Sequence, residues 1–290
     1  MTSTRPPTGA VCLIVTMILF HLLSFSHASP LNNTIGSRRS LFSVDGEQLS
    51  SHERRSLFDV TGISDDAQKA ALQQGQRDAL DMARVALNNY QEERHVEKID
   101  MWFGQNEDYP DIVGNVLATF IGADRDSEGA DALGDVTVYP DDYWKQKDPS
   151  QQFCTIVKDD GSTGAAYFAW NNKVPGMHFC PKFFTRKDAD DFLANSCSSI
   201  ADHMSTATMT RVFQGANVYH EFMHYPAVTL QAVGSQVDDY AYNAWDSFIL
   251  KGKGDKAIQN ADTWVFYTLH IWLEEKCGKP FSYPRGEQDN

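Results

Sequence analysis

After residue 28 the chain has no run apolar enough to cross a bilayer, a job that takes about 20 residues, so no later segment reads as an anchor. Cysteine is scarce. There are five, none in a C-x-x-C pair, which argues against a cysteine-based zinc site. Positive charge is short as well: 25 Lys and Arg stand against 39 Asp and Glu, a formal net charge of −14. That balance argues against nucleic acid and against membrane surfaces as partners. It suits a soluble protein with a mild attraction for basic substrates, or charge that serves solubility alone. N-glycosylation sequons are nearly absent too. Asn32-Asn33-Thr34 is the one present, so any N-glycan is expected at Asn32, outside the folded domain.

The N-terminus carries what the rest lacks. Residues 1–28 read as a secretory signal peptide: Arg5 supplies the positive start, Ala10 to Leu23 the apolar run, and Ser26-His27-Ala28 a small-residue cleavage site. A membrane anchor is the rival reading, but the run is shorter than a span and a cleavage site follows it. The expected location is therefore secreted, extracellular. Residues 29–62 are polar and hold a repeat. Arg38-Arg39-Ser40-Leu41-Phe42-Ser43-Val44 is echoed by Arg54-Arg55-Ser56-Leu57-Phe58-Asp59-Val60. Each copy opens on a dibasic pair of the kind a processing protease cuts. The stretch reads as a pro-segment or linker, with the mature domain starting near Ser56; an ordinary disordered tail is the bland alternative.

Cys12 leaves with the signal peptide. Cys154, Cys180, Cys197 and Cys277 remain, and an even count in an oxidising compartment suggests two disulfides with three possible pairings. Cys180 with Cys197 is the nearest pair. Cys154 with Cys277 would then tie the C-terminal helix to the middle of the domain.

Along the chain, residues 64–95 predict a long helix, with Ser64 as N-cap, Asp65 and Asp66 in the first turn and an apolar stripe behind them. Asp111 to Phe120 predicts a second helix. Between 135 and 180 lie short strands, Val136–Val138, Cys154–Val157, Ala165–Trp170 and Met177–Cys180, punctuated by glycine, proline and Asp/Asn clusters. Helix returns near Ala189, again over Thr208–His224 with Pro226 as its stop, and last over Asp255–Lys276 before Cys277-Gly278. Helix, strands, helices is the order of an α+β domain. About 230 residues after processing suffice for one well-buried core.

His220-Glu221-Phe222-Met223-His224 reads H-E-x-x-H. On a helix, residues four apart share a face, so both imidazoles reach one zinc ion, and the glutamate between them can act as base toward water. Two surface or core histidines are the plain alternative. A catalytic zinc takes three protein ligands and one open position. A third histidine in the H-x-x-G-x-x-H continuation would fall where Leu230 stands, with Ala227 in place of the glycine, so that pattern fails. A glutamate on a later helix could serve, and Glu274 or Glu275 is so placed. The better candidate lies in Gly234-Ser235-Gln236-Val237-Asp238-Asp239-Tyr240-Ala241-Tyr242.

Here the sequence resembles the aspartate zincins, the fungal deuterolysins and their lysine-specific relatives, whose second motif is G-T-x-D-x-x-Y. Asp239 and Tyr242 match the D-x-x-Y spacing. Met177-His178-Phe179-Cys180-Pro181 resembles the strand and cysteine before the family's zinc helix, and Asn260-Ala261-Asp262-Thr263-Trp264 its N-A-D-[ST]-aromatic segment. The likeness runs over roughly 65–277 and is diffuse before the C-terminal motifs. Ser235 replaces the threonine, Gly234 lies five residues before Asp239 instead of three, and Asn243 stands where a glycine is usual. The displaced glycine leaves Asp238 as the rival to Asp239.

The resemblance implies a zincin-like catalytic domain over 63–290, acting as a monomeric, secreted zinc metalloendopeptidase on protein or peptide substrates, with one Zn2+ held by His220, His224 and Asp239. Glu221 would be the general base and Tyr242 the hydrogen-bond donor to the oxyanion. Asp262 would sit near the pocket for the residue after the scissile bond and favour basic side chains. Lysine-specific members carry a glutamate three residues further on; Val265 stands there, so strict lysine specificity is not expected. The alternative function is a secreted zinc-scavenging or effector protein without protease activity, against which Glu221 counts. His178, His203 and His270 read as structural, and Trp264, Phe266, Tyr267 and Trp272 as core.

Overall fold

Asp65 starts the described helices. Its carboxylate accepts from the Gln68 amide at 3.0 Å, capping α1 (Asp66–Asn89), and Leu72, Gln76, Ala79, Leu80, Ala83 and Ala86 line its buried face at helical spacing. The expected helix over 64–95 breaks at Asn89. The Asn89 amide donates back to the Val85 carbonyl, while its own carbonyl takes Glu92 N and His95 Nδ1, so the ladder closes there. A helix not foreseen, α2 (Glu93–Phe103), follows, and then α3 (Tyr109–Ile121). The computed structural model describes residues 59–122, 133–142, 153–157, 163–171, 174–194, 197, 204 and 213–286. These belong to one unit, Gln48–Asn290. The signal segment, residues 29–58 with Asn32 and most of the repeat, and His203 lie outside the described residues.

Three strands form one small sheet among the described residues, in the order β1-β3-β2: β1 (Thr137–Val138) runs parallel to β3 (Val174–Phe179), and β2 (Ala166–Asn171) antiparallel to it. Asp59 adds a parallel bridge to Thr137, and Val60 and Ile63 are buried, so the fold takes in residues ahead of the boundary expected at 63. The expected strand at Cys154–Val157 is instead a 3-10 turn, Phe153–Thr155, with a single bridge from Val157 to Thr163. Beyond the sheet come α4 (Ala189–Ala194), α5 (Gln214–Met223), α6 (Pro226–Val233), α7 (Ala244–Ile249) and α8 (Ala261–Cys277). The architecture is mixed α+β, as the element order suggested. No helix among the described residues is long and apolar enough to cross a membrane.

The disulfides differ from the nearest-neighbour expectation. Cys154 pairs with Cys180 and Cys197 with Cys277. Cys180 directly follows β3, where its amide is held by the Ala165 carbonyl, and this puts it against the 3-10 turn that carries Cys154. The segment after it turns into the core through Phe183 and Phe192 and delivers Cys197 to the end of α8. Proximity in sequence lost to the path of the chain. The second bridge spans 80 residues and on chain-entropy grounds contributes about 4.5 kcal/mol.

α1 packs on α5, α8 and α3, and α8 also packs on α5. α8 is buried on all sides from Ala261 to Glu274, with Trp264, Trp272 and Tyr267 fully enclosed. Glycine lets α1 and α5 approach. A Cβ on Gly75 would meet Val218 and Phe183 at 3.2 Å, and one on Gly215 would meet the Asp78 Cβ at 2.7 Å. Asp78 itself is buried. It accepts from Gln74 Nε2 at 2.7 Å and from the Ala189 amide at 2.9 Å, joining α1 to the start of α4.

Burial raises the Asp78 carboxyl from 3.8 to about 6. The native state therefore keeps a proton that the unfolded chain releases between these values, and its stability falls as pH rises through that window. Asp78→Asn removes the term. Relative to wild type, the variant should gain about 2–3 kcal/mol of unfolding free energy between about pH 4 and about pH 6. Urea unfolding of both proteins at the two pH values checks this; a pH-independent difference refutes it.

Candidate metal centre

His220 lies in the last turn of α5 and His224 is its C-cap. The helix stops there because Pro226 cannot continue the ladder and holds Tyr225 extended. Pro226 does more than end a helix: it is also the first residue of α6, which runs to Gly234. Gly234, at φ +76°, caps α6, and the chain then returns past His224. The Val237 carbonyl meets His224 Nδ1 at 2.9 Å. Asp238 forms a bridge to Asn260 through its backbone and keeps its side chain exposed. Asp239 points inward.

The three side chains converge. Asp239 Oδ1 lies 3.3 Å from His220 Nε2 and 3.4 Å from His224 Nε2, and the two Nε2 atoms are 3.3 Å apart. Ligand atoms about 2.0–2.1 Å from a tetrahedral ion stand about 3.3 Å from one another, so the triangle has the size of a tetrahedral face. Its protonation points the same way. His224 Nδ1 faces a carbonyl, which only accepts, and His220 Nδ1 faces the Asp262 carboxylate at 2.7 Å. Both Nδ1 atoms therefore carry the proton, and both Nε2 atoms present lone pairs. Two lone pairs and a carboxylate oxygen then face one another, and Asp239 Oδ1 is buried with no hydrogen-bond partner. Only a cation between them, or an added proton, relieves that arrangement. Without an ion, burial opposes charge on His220, but Asp239 and Asp262 hold its pKa well above the ordinary value, while the two histidines overcome burial and hold Asp239 far below its own.

Glu221 is buried behind this triangle. It accepts from the Phe168 amide of β2, and burial raises its pKa. Tyr242 hydrogen-bonds Asp239, and burial, then Asp239, raises its hydroxyl. All five residues line one cleft of about 410 Å³, with β2 along one wall. No family model matches this chain, and no curated protein matches it. What can be said of the site comes from its own residues.

The sequence named the members of the triangle and two residues near it. Asp262, expected to meet a basic substrate side chain, lines the cleft with its Oδ1 committed to His220. Asn243, which stands where a glycine is usual in the resembled motif, is extended at φ −140° and caps α7 by accepting from the Asp246 amide at 2.7 Å. Asn260 was missed as a functional residue. Fully buried, it accepts from the Tyr240 and Ala241 amides at 2.8 and 2.9 Å and donates to Thr263 Oγ1 at 3.0 Å, pinning the loop that bears Asp239 and Tyr242. Nothing local in the sequence marks it beyond its place in the Asn260–Trp264 segment.

The rival third ligands are elsewhere. Glu274 holds Lys98, His270 and the Phe281 amide, and Glu275 pairs with Arg94. His178 binds the Tyr139 carbonyl, and its grouping with Cys154 and Cys180 offers no thiolates because those cysteines are joined. His270 is a core residue, accepting from Trp102 Nε1 at 3.1 Å.

Asp239→Asn should abolish stoichiometric metal uptake while Asp238→Asn retains it. Asp262→Asn, which removes the charged partner of His220, should weaken zinc binding by about 10–100-fold. Competition against a chromophoric chelator measures both. Equal loss in the two position-238 and position-239 variants, or undiminished affinity in Asp262→Asn, contradicts the assignment.

Proposed function

We propose that this chain is a secreted zinc endopeptidase of the aspartate-zincin type, the family its motifs resemble. The observation that carries the reading is the tetrahedral-sized triangle of His220 Nε2, His224 Nε2 and Asp239 Oδ1, with a buried glutamate beside it in an open cleft. Nitrogen and carboxylate donors in this number suit zinc. Zinc held there supplies Lewis-acid activation of water and of the scissile carbonyl.

The chain's own groups do the rest. Glu221, its pKa raised by burial, takes the proton of the attacking water and passes it to the leaving amine. Tyr242, hydrogen-bonded to Asp239 and lining the cleft, donates to the oxyanion that forms, an interaction worth about 3 kcal/mol in the transition state. Asp262 and the Val237 carbonyl keep both imidazoles aimed. β2 is the edge of the sheet and lines the cleft, so an extended peptide can pair with its backbone beside Glu221. Two disulfides fit an oxidising, extracellular setting.

The test is cleavage of a fluorogenic protein substrate by wild type, Glu221→Gln and chelator-treated protein. Wild type with one zinc should cleave. Glu221→Gln should keep its zinc and lose at least about 100-fold in kcat. Chelation should abolish activity and zinc should restore it. A zinc-loaded wild type that cleaves nothing refutes the reading.

A further inference from the structure

The wall that β2 gives the cleft carries an exposed ring. Cys180 N donates to the Ala165 carbonyl at 2.8 Å, and β2 continues in antiparallel register from Ala166 opposite Phe179 to Trp170 opposite Pro175. Ala165, Tyr167 and Ala169 therefore turn their backbone groups toward β3, and Ala166, Phe168 and Trp170 turn theirs to the outer edge. The Phe168 amide meets Glu221 on that edge. No described strand pairs there. Phe168 and Trp170, two residues apart, also share one face of the sheet, and both line the cleft.

Two rings fix Trp170. Its indole meets Phe168 edge-on, with centroids 5.8 Å apart at 89°, and lies against Tyr225 at 6.1 Å. Phe168 and Tyr225 meet each other at 5.5 Å. Tyr225 directly follows His224, so the trio joins the end of β2 to the end of the ligand helix. Tyr225 is 6% exposed, whereas Trp170 is 46% exposed. A large ring left in water at a cleft, with its position already set by packing, is preorganised to bind. Strand residues advance about 3.3 Å each, so Trp170 lies about 7 Å along β2 from the amide that meets Glu221. An extended peptide on the same edge advances equally, and the side chain over the indole belongs to a residue about two positions from the scissile bond. The neighbours of the indole are themselves rings. An apolar side chain gains contact with more than one of them, whereas a cation gains only the indole face.

We propose that Trp170, backed by Phe168 and Tyr225, is a specificity-determining residue, and that the preferred substrates are peptides with an aromatic or large aliphatic side chain about two positions from the scissile bond. The inference rests on the endopeptidase reading for its catalytic form, but the binding preference stands or falls separately.

Two measurements keep the two apart. The first is kcat/KM of zinc-loaded wild type on peptides that differ at a single position within three residues on either side of one scissile bond, carrying Phe, Leu, Ala, Glu or Arg. Phe should exceed Ala by about tenfold at one position about two residues from the bond, with Leu between them and Glu and Arg no better than Ala. Trp170→Ala should shrink the Phe-to-Ala ratio toward one, and its zinc content reports that the triangle is intact. Trp170→Phe, which keeps a ring against the same neighbours, should retain most of the ratio. The second is the Kd of the same peptides for zinc-loaded Glu221→Gln, with and without Trp170→Ala, read by fluorescence anisotropy. If wild type cleaves no peptide but the Phe peptide binds tightest and loses that advantage with Trp170→Ala, the endopeptidase reading fails and the aromatic subsite holds. A flat, Glu-favouring or Arg-favouring order in wild type overturns the proposal whether or not the variants fold. So does a Phe preference that survives in Trp170→Ala.

Discussion

Three electron-pair donors within 3.4 Å of one another are the constraint on which the rest of the site depends. With both Nε2 atoms unprotonated they repel. They stay together because each is held from behind: His220 by Asp262, His224 by the Val237 carbonyl, and Asp239 by a loop whose amides end on Asn260. A cation held between them relieves that repulsion, and their spacing has the dimensions of a tetrahedral face. Asn260 shows what this demands of the fold. It stands at the N-cap of α8, yet makes no side-chain cap bond to that helix. Its carbonyl oxygen is spent on the ligand loop.

The helices explain why that loop can be held so firmly. α8 is buried on every side and supplies both Asn260 at its start and Asp262 in its first turn. α5 supplies the histidines and crosses α1 at a distance that only Gly75 and Gly215 permit. Asp78, at that crossing, ties α1 to α4 at the expense of a buried carboxyl. A rigid helical frame carries the ligands, and β2 contributes one wall of the cleft and the amide that meets Glu221.

Much of this was legible in the chain. The i, i+4 histidines specify a shared helical face whatever surrounds them, because helix periodicity is local. The α+β class followed from element order, and the aromatic run from Trp264 to Trp272 announced a buried helix. The misses were non-local. The cysteine pairing followed the path of the backbone and not the shortest interval. The long N-terminal helix broke at Asn89, whose side-chain amide takes the Val85 carbonyl while its own carbonyl receives Glu92 N and His95 Nδ1. Pro226 stopped one helix and began another, since a residue without an amide hydrogen is equally at home at a first helical position.

By itself the sequence determined the two histidines and glutamate on one helix face, the acidic balance of the chain and the helix–strand–helix order. All of these are written in local spacing or in composition. Only the tertiary structure decided that Asp239, not Asp238 or Glu274, completes the triangle. It also placed Asp262 behind a ligand and Trp170 along the cleft. These depend on which distant segments meet. An aspartate looks the same in a sequence whether its neighbour is water, a metal ion or an imidazole, and only the packed chain supplies the neighbour.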